Sequence, residues 1–149
     1  MTVAHIGNTM PVFQHGNLHM QLVCPAGNLP ALQAAVDAGA NAVYAGFRDQ
    51  TNARAFPGLN FSDDELRAGI RYAHAKNAKV YLALNTYPDS ARLADWYAAV
   101  DNAASLGADA IIAAEMAVLD YAARTYPKLP RHLSVQGSAT TAPALQYAY

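Results

Sequence analysis

The sequence has a single cysteine, Cys24, among its 149 residues, and no excess of charge of either sign. A lone thiol excludes an internal disulfide and fits a reducing compartment. The formal net charge of −1 means that basic residues do not dominate. A non-specific phosphate-binding surface is therefore not expected, and nucleic acid is not the partner that the composition favours.

Long apolar runs are also missing. No stretch approaches the roughly 18 apolar residues that cross a bilayer, so no transmembrane segment is predicted. The N-terminus has no Lys or Arg before its weakly apolar part, which argues against a secretory signal. A cytoplasmic location is expected. Residues 1–19 carry Gly, Asn, Pro and three His without a clear period. They predict an irregular leader or extension, followed by one domain over residues 20–149.

Short apolar runs alternate with helical patterns from Met20 onward. Each run is apolar on both faces, as buried parallel strands require. The predicted strands are Met20–Cys24, Ala42–Gly46, Lys79–Asn85, Ala110–Glu115 and His132–Gln136.

The segments between these runs carry signals that begin and end helices. Pro30 fits the first turn of a helix, with Asn28 as its cap. Ser62 and Glu65 have the spacing of a capping box. Pro127 stops the fourth helix. A last helix is expected to have just begun over residues 141–149.

A weak internal repeat supports a strand–helix alternation. Residues 38–43 resemble residues 106–111, each with a glycine, a small residue and an Asn or Asp before a strand. Their separation is twice the roughly 34 residues of a βα unit.

No G-x-G-x-x-G follows the first strand, which argues against a dinucleotide-binding sheet. A closed barrel needs eight strands and about 250 residues. The sequence therefore predicts an α/β fold: the N-terminal portion of a TIM-like (β/α) barrel, truncated, with about five parallel strands and four to five helices.

Five segments near the predicted strand ends carry a resemblance to a known family. They are LVCPAGNLPAL (22–32), GANAVYAG (39–46), TNAR (51–54), GLNF (58–61) and RHLSVQGSAT (131–140). Together they resemble the collagenase-like peptidase family U32 over about residues 20–149. Within it they look most like its UbiU-like branch.

The resemblance implies a function and several partners. UbiU-like proteins form a heterodimer with a UbiV-like sister subunit. The pair supports hydroxylation of the ring of a ubiquinone precursor without O2, with prephenate as the implied hydroxyl donor. Four cysteines in the second half of the family's chain hold a 4Fe-4S cluster. No cluster ligand is carried over to this chain, so no metal site and no cofactor are expected within it.

The barrel prediction places a set of polar residues at the C-terminal ends of the strands, where such folds bind ligands. The loop over residues 47–61 springs from the same face and is longer than most βα loops. The predicted substrate-pocket residues are Asn28, Tyr44, Asn52, Arg54, Asn85, Glu115 and Gln136.

Each of these residues also has a structural explanation. Arg54 could clamp a carboxylate such as that of prephenate, or equally form a loop salt bridge to Asp49. Asn85, Glu115 and Gln136 end apolar strands, where a buried polar group without a partner costs about 1–3 kcal/mol. Loop anchoring explains each as well as a pocket does. Cys24 is expected to be a buried structural residue, and no catalytic residue is assigned.

Other functions stay open at this stage. The family name suggests a peptidase, although the sequence offers no zinc motif and no credible nucleophile–base pair. Related members of the family hydroxylate tRNA or rRNA. A purely structural subunit of a heterodimer is also compatible with the chain, and the chain by itself is expected to be inactive.

Overall fold

Five strands within residues 20–148 run parallel in a single sheet. The computed structural model describes residues 20–148, so the predicted leader over 1–19 and Tyr149 lie outside the described residues. The strands are β1 (Val23–Pro25), β2 (Ala42–Gly46), β3 (Lys79–Leu84), β4 (Ala110–Ala113) and β5 (Arg131–Leu133), and the helices are α1 (Leu29–Asp37), α2 (Asp63–His74), α3 (Leu93–Leu106), α4 (Met116–Thr125) and α5 (Ala142–Ala148).

The order of the strands in the sheet is the order of the strands in the chain, β1-β2-β3-β4-β5. Helices α1, α2, α3 and α4 contact one another in succession, so they line up on one side of the sheet. In a doubly wound sheet the order reverses at a switch point and helices cover both faces. The arrangement seen here belongs to the wall of a (β/α) barrel. The predicted α/β, TIM-like architecture with five parallel strands is confirmed.

The boundaries of the first and last strands differ from the sequence prediction. β1 begins at Val23 rather than at Met20, whose side chain is 96% exposed. β5 ends at Leu133, because the hydroxyl of Ser134 accepts a hydrogen bond from the N–H of Gln136 and starts a 3₁₀ turn. The predicted continuation of this strand to Gln136 is therefore wrong.

The local helix signals act as the sequence predicts. The side chain of Asn28 accepts a hydrogen bond from the N–H of Ala31 and caps α1. Ser62 and Glu65 form the capping box of α2. No helix within residues 20–148 is long and apolar enough to cross a membrane.

The alternation of side chains along each strand separates two layers. One face packs against the helices and is fully buried, which stabilises the fold by roughly 1.5–3 kcal/mol for each large side chain. This layer contains Val43, Val80, Leu82, Leu84 and Ile111 from the sheet and Leu32, Leu66, Val100 and Val118 from the helices.

The opposite face of the sheet is concave and carries its side chains in rows. One row crosses the sheet at Pro25, Tyr44, Tyr81 and Ala110. A second row, nearer the C-terminal ends, joins Gly46, Ala83, Ile112 and His132. Such layers fill the interior of (β/α) barrels.

The internal repeat has a physical basis at the opposite rim. Gly39 and Gly107 end α1 and α3 with φ of 91° and 84°, a left-handed conformation that glycine adopts readily. Two residues later, the side chain of Asn41 accepts a hydrogen bond from the N–H of Leu22 at 2.7 Å. The carboxylate of Asp109 likewise accepts from the N–H of Val80 at 2.8 Å. Each copy therefore ties the start of one strand to the strand before it.

Candidate functional site

A concavity of about 570 Å³ opens at the C-terminal ends of the strands, on the face of the sheet opposite helices α1 to α4. Tyr44, Ile112 and His132 form its floor. One wall comes from the loop that follows β2, here called the wall loop and defined as residues 47–61. The remaining lining residues are Pro25, Ala26, Gly27, Ala45, Gly46, Ala83, Asn85, Leu133, Ser134 and Val135.

The wall loop is closed at its base and fixed to its surroundings. Phe47 and Phe61 pair as a parallel bridge, and both side chains are buried. The hydroxyl of Thr86, in the segment after β3, donates to the carbonyl of Gln50 at 2.6 Å. Thr51 is 2% exposed, an unusually deep position for a loop threonine. The loop is thus a built wall of the concavity.

Two buried asparagines organise the interior of the wall loop. Asn52 and Asn60 are 6% and 5% exposed. The amide of Asn52 donates to the side-chain oxygen of Asn60 at 2.9 Å. The amide of Asn60 donates to the backbone carbonyl of Arg54 at 2.5 Å. The backbone N–H of Arg54 donates to the side-chain oxygen of Asn52 at 3.1 Å. These three hydrogen bonds form a closed ring, here called the asparagine ring.

Asn60 also joins the wall loop to two other parts of the site. Its φ of 70° lies in the left-handed region that asparagine tolerates better than most residues. Its N–H donates to the carbonyl of Gly27 at 2.6 Å, and its own carbonyl accepts from Arg48 at 2.9 Å. Sequence reasoning did not select Asn60 as a site residue. The sequence feature that could have indicated Asn60 is a polar residue between the apolar Leu59 and Phe61.

Arg54 lies on the wall with its backbone fixed and its guanidinium directed at the concavity. The nearest polar partner of the guanidinium is the hydroxyl of Tyr44, at 3.4 Å. Within residues 20–148 no carboxylate lies within ion-pair distance of it. Asp49, the alternative partner, instead accepts hydrogen bonds from the N–H and hydroxyl of Thr51, at 2.8 and 2.6 Å. The loop salt bridge is therefore not formed.

His132 of the floor forms an aromatic pair with the buried Tyr81 that the sequence did not reveal. The rings of Tyr81 and His132 meet edge to face, with centroids 5.1 Å apart and an interplanar angle of 70°. The sequence predicts that His132 begins the fifth strand, and His132 is not among the predicted pocket residues. The register of β5 instead sets His132 beside Ile112 and level with Gly46. Only the register, a long-range property, reveals this position.

The structure brings together four of the seven predicted pocket residues. Tyr44, Asn52, Arg54 and Asn85 all line the concavity. The side-chain oxygen of Asn85 accepts a hydrogen bond from the N–H of Ala53 at 3.0 Å. Asn85 therefore anchors the wall loop and borders the site, so both explanations of this residue apply at once.

The other three predicted residues lie elsewhere. Asn28 is exposed and caps α1. Glu115 caps α4 by accepting from the N–H of Ala117 at 3.2 Å. The side chain of Gln136 is exposed, while its backbone carbonyl accepts from the hydroxyl of Tyr87 at 2.6 Å. None of the three lines the concavity.

The described residues do not fit an iron–sulphur cluster. Such a cluster takes four thiolates, and the sequence offers Cys24 alone. The Cys24 side chain is half-buried and packs against the helical layer, away from the concavity. No group of three or more His, Cys, Asp or Glu that could hold a metal ion occurs between residues 20 and 148.

The electrostatic character of the concavity follows from its lining. No Asp or Glu is among the described residues that line it, and Arg54 supplies a permanent positive charge. Guanidinium groups bind carboxylates and phosphates with two parallel hydrogen bonds. The tyrosine hydroxyl and the Asn85 amide add neutral polar groups beside apolar Leu59 and Ile112. The site is suited to a small anionic molecule with an apolar body.

The chain is similar in sequence to known proteins of one family. The family model described as peptidase family U32 matches residues 27–149. The chain is 38% identical over 119 residues to tRNA hydroxylation protein P of Helicobacter pylori, covering 80% of this chain and 28% of that protein. It is 32% identical over 127 residues to a collagenase of Porphyromonas gingivalis, covering 85% of this chain and 30% of that protein.

A solved structure shows the same fold. The U32 peptidase Mk0906 superposes with a TM-score of 0.73 at 13% identity, over 93% of this chain and 58% of that one. The chain spans less than a third of the length of the two curated relatives named above.

Proposed function

The chain belongs to peptidase family U32, and we propose that it is the N-terminal part of a UbiU-like protein that supports hydroxylation of the ubiquinone ring without O2. One observation carries this proposal. Segments 22–32, 51–54 and 131–140, whose combination makes the resemblance specific, are separated in the chain, and each contributes lining residues to one concavity. Segments that meet at a ligand-sized site are the ones that a shared ligand would preserve.

In this proposal the concavity binds the hydroxyl donor. Arg54 holds a carboxylate of that donor, prephenate being the implied molecule, with the Tyr44 hydroxyl as a second polar contact. Ile112 and Leu59 pack against the carbon skeleton. A carboxylate held by a guanidinium in a partly desolvated site is bound more strongly than in bulk water, because the effective dielectric constant is lower.

The other components of the proposed function concern the full-length protein and not this chain by itself. They are a 4Fe-4S cluster on cysteines outside this chain, a UbiV-like sister subunit, a ubiquinone precursor as acceptor and a cytoplasmic location. The resemblance implies all four, and the donor site in the concavity is the part that is proposed for the described residues.

Complementation tests the proposal. The full-length gene, expressed without O2 in a strain that lacks its UbiU-like protein, should restore ubiquinone. An R54A variant should restore roughly a tenth or less, as expected when a charged hydrogen-bonding group is removed from its ligand. R67A is the matched control, because Arg67 is exposed on α2 and forms no ion pair within the described residues. Full activity of R54A would remove Arg54 from the site.

A second candidate is hydroxylation of tRNA, and the name of the Helicobacter pylori relative favours it. The same strains distinguish the two. Unchanged ubiquinone, together with recovery of a hydroxylated tRNA nucleoside by mass spectrometry, would transfer the assignment to RNA. The name of the Porphyromonas gingivalis relative suggests a peptidase. A cysteine nucleophile is not supported, because the side chain of Cys24 packs away from the concavity.

A further inference from the structure

The asparagine ring encloses the backbone of Arg54 on both sides. The N–H of Arg54 is held by Asn52 and its carbonyl by Asn60, while Asn52 and Asn60 are joined directly. Every side-chain amide in the ring uses both its oxygen and its nitrogen. A buried polar network that is fully satisfied fixes a single local conformation. The guanidinium is the polar part of Arg54 that this network leaves unpaired.

Four connections lock the ring to the rest of the site. Gly46 lies beneath the amide of Asn52, Gly27 accepts from the N–H of Asn60, and Arg48 donates to the carbonyl of Asn60. Asn85 accepts from the N–H of Ala53, one residue before Arg54. These contacts come from β1, β2 and β3 and their loops. The position of the Arg54 backbone is therefore set by the sheet itself.

We infer that Asn52 and Asn60 are positioning residues, which act through Arg54 by fixing the backbone from which its guanidinium reaches the concavity. The hydrogen bonds of the two amides support this role. The oxygen and the nitrogen of each amide already form a hydrogen bond within the ring, and both residues are at least 94% buried. An arginine on a free loop would lose backbone freedom as well as side-chain freedom on binding. The ring reduces the backbone part of this cost by fixing the N–H and carbonyl of Arg54 beforehand. Its consequence for ligand binding rests on the proposed function.

The reactivity of Arg54 toward phenylglyoxal tests this inference in the full-length protein. This reagent modifies accessible guanidinium groups, and peptide mass spectrometry measures each arginine separately. The quantity to follow is the modification rate of Arg54 divided by that of the exposed Arg67. In an N60G variant, glycine keeps the left-handed backbone but loses the donor to Arg54. The ratio should change by about fivefold, because losing one ordinary buried hydrogen bond shifts a two-state population by that amount.

The control is N77G. Asn77 also has a positive φ, 59°, but it is exposed and lies in the turn before β3. Its replacement should leave the ratio unchanged. A second variant, N52D, keeps the acceptor for the N–H of Arg54 and sets two oxygens against each other where Asn52 meets Asn60. It should shift the ratio in the same direction as N60G.

An unchanged ratio in both N60G and N52D would overturn the positioning role, whatever the protein does. Failure of the proposed function has a different signature. The ratio would then respond as expected, while the wild-type gene would fail to restore ubiquinone, or R54A would restore it as fully as the wild type does. If the positioning role and the proposed function are both correct, N60G should also lower ubiquinone production. It should have no additional effect in an R54A background.

Discussion

The amide of Asn52 occupies the space that a side chain on Gly46 would need. A Cβ built on Gly46 would lie 2.1 Å from the nitrogen and 2.5 Å from the carbon of that amide. Such contacts are far inside van der Waals distance, and Asn52 is held by the asparagine ring. Residue 46 must therefore be glycine for the wall loop to adopt this conformation.

The first prediction follows from that contact. G46A should destabilise the protein by about 1–3 kcal/mol, as overpacking does, and should alter the phenylglyoxal reactivity of Arg54. G107A is the control. Its Cβ would meet open space, but its φ of 84° makes a side chain strained, so it should cost about 1 kcal/mol without changing Arg54. Urea denaturation measures the stability of both variants, and peptide mass spectrometry measures the reactivity of Arg54. An unchanged Arg54 reactivity in G46A, or a changed one in G107A, would contradict this account.

The second prediction separates the predicted pocket residues. N85A leaves the N–H of Ala53 without its partner and should lower anaerobic ubiquinone severalfold. Q136A removes only an exposed side chain, because the backbone carbonyl makes the contact to Tyr87. It should leave the yield unchanged. Quinone analysis of cell extracts is the measurement, and a loss in Q136A equal to that in N85A would place the Gln136 side chain at the ligand.

The third prediction concerns the ties at the N-terminal ends of the strands. The carboxylate of Asp109 accepts from the N–H of Val80 and contacts His74 at 2.8 Å. D109A should destabilise the protein by about 1–3 kcal/mol, because a partly buried donor loses its partner. D109N keeps an oxygen for Val80 and should cost less. D120A is the control, since its exposed pair with Arg124 contributes about 0.5 kcal/mol or less.

The fourth prediction is a pH dependence from the capping box of α2. The N–H of Ser62, then its hydroxyl, and the nearby Arg48 lower the pKa of Glu65. The folded state therefore favours the carboxylate. Its contribution to stability is complete above the unfolded pKa of about 4.3. It is lost as the pH falls through the lower folded pKa.

An E65Q variant makes this contribution visible. The stability difference between wild type and E65Q should be largest near neutral pH and should shrink on acidification. D64N is the control, because the carboxylate of Asp64 forms no hydrogen bond within the described residues. Urea denaturation across the acidic range is the measurement. A difference that grows as the pH falls would contradict the assignment.

Local signals in the sequence were sufficient for much of the fold. β2 matches its predicted range, Ala42–Gly46, residue for residue, because a buried apolar run between two turns has few alternatives. The caps at Asn28 and Ser62 were also readable, since capping joins residues two or three positions apart. The early end of β5 could not be predicted in this way. Ser134 can either continue a strand or cap a turn, and contacts with the surrounding structure determine which of the two it does.

The site was only partly predictable, because several of its contacts join residues that are distant in the sequence. Arg54 and Tyr44 were selected because both follow from a barrel and a long loop. The partnership of Asn52 with Asn60 depends on how the wall loop folds back on itself. The position of His132 depends on the register between β4 and β5. Neither is encoded by spacing along the chain. Glu115 illustrates the converse, since an acid between a strand and a helix serves equally well as a cap or as a ligand group.

The matching order of strands in space and in sequence has a consequence for how the protein is made. During synthesis each new strand emerges after the one beside which it will lie, so its hydrogen-bonding partner is already present. Among the described strands, none after β1 has to wait for a strand that follows it, and none has to pass between two formed strands. Folding can therefore proceed stepwise from the ribosome, one strand and one helix at a time.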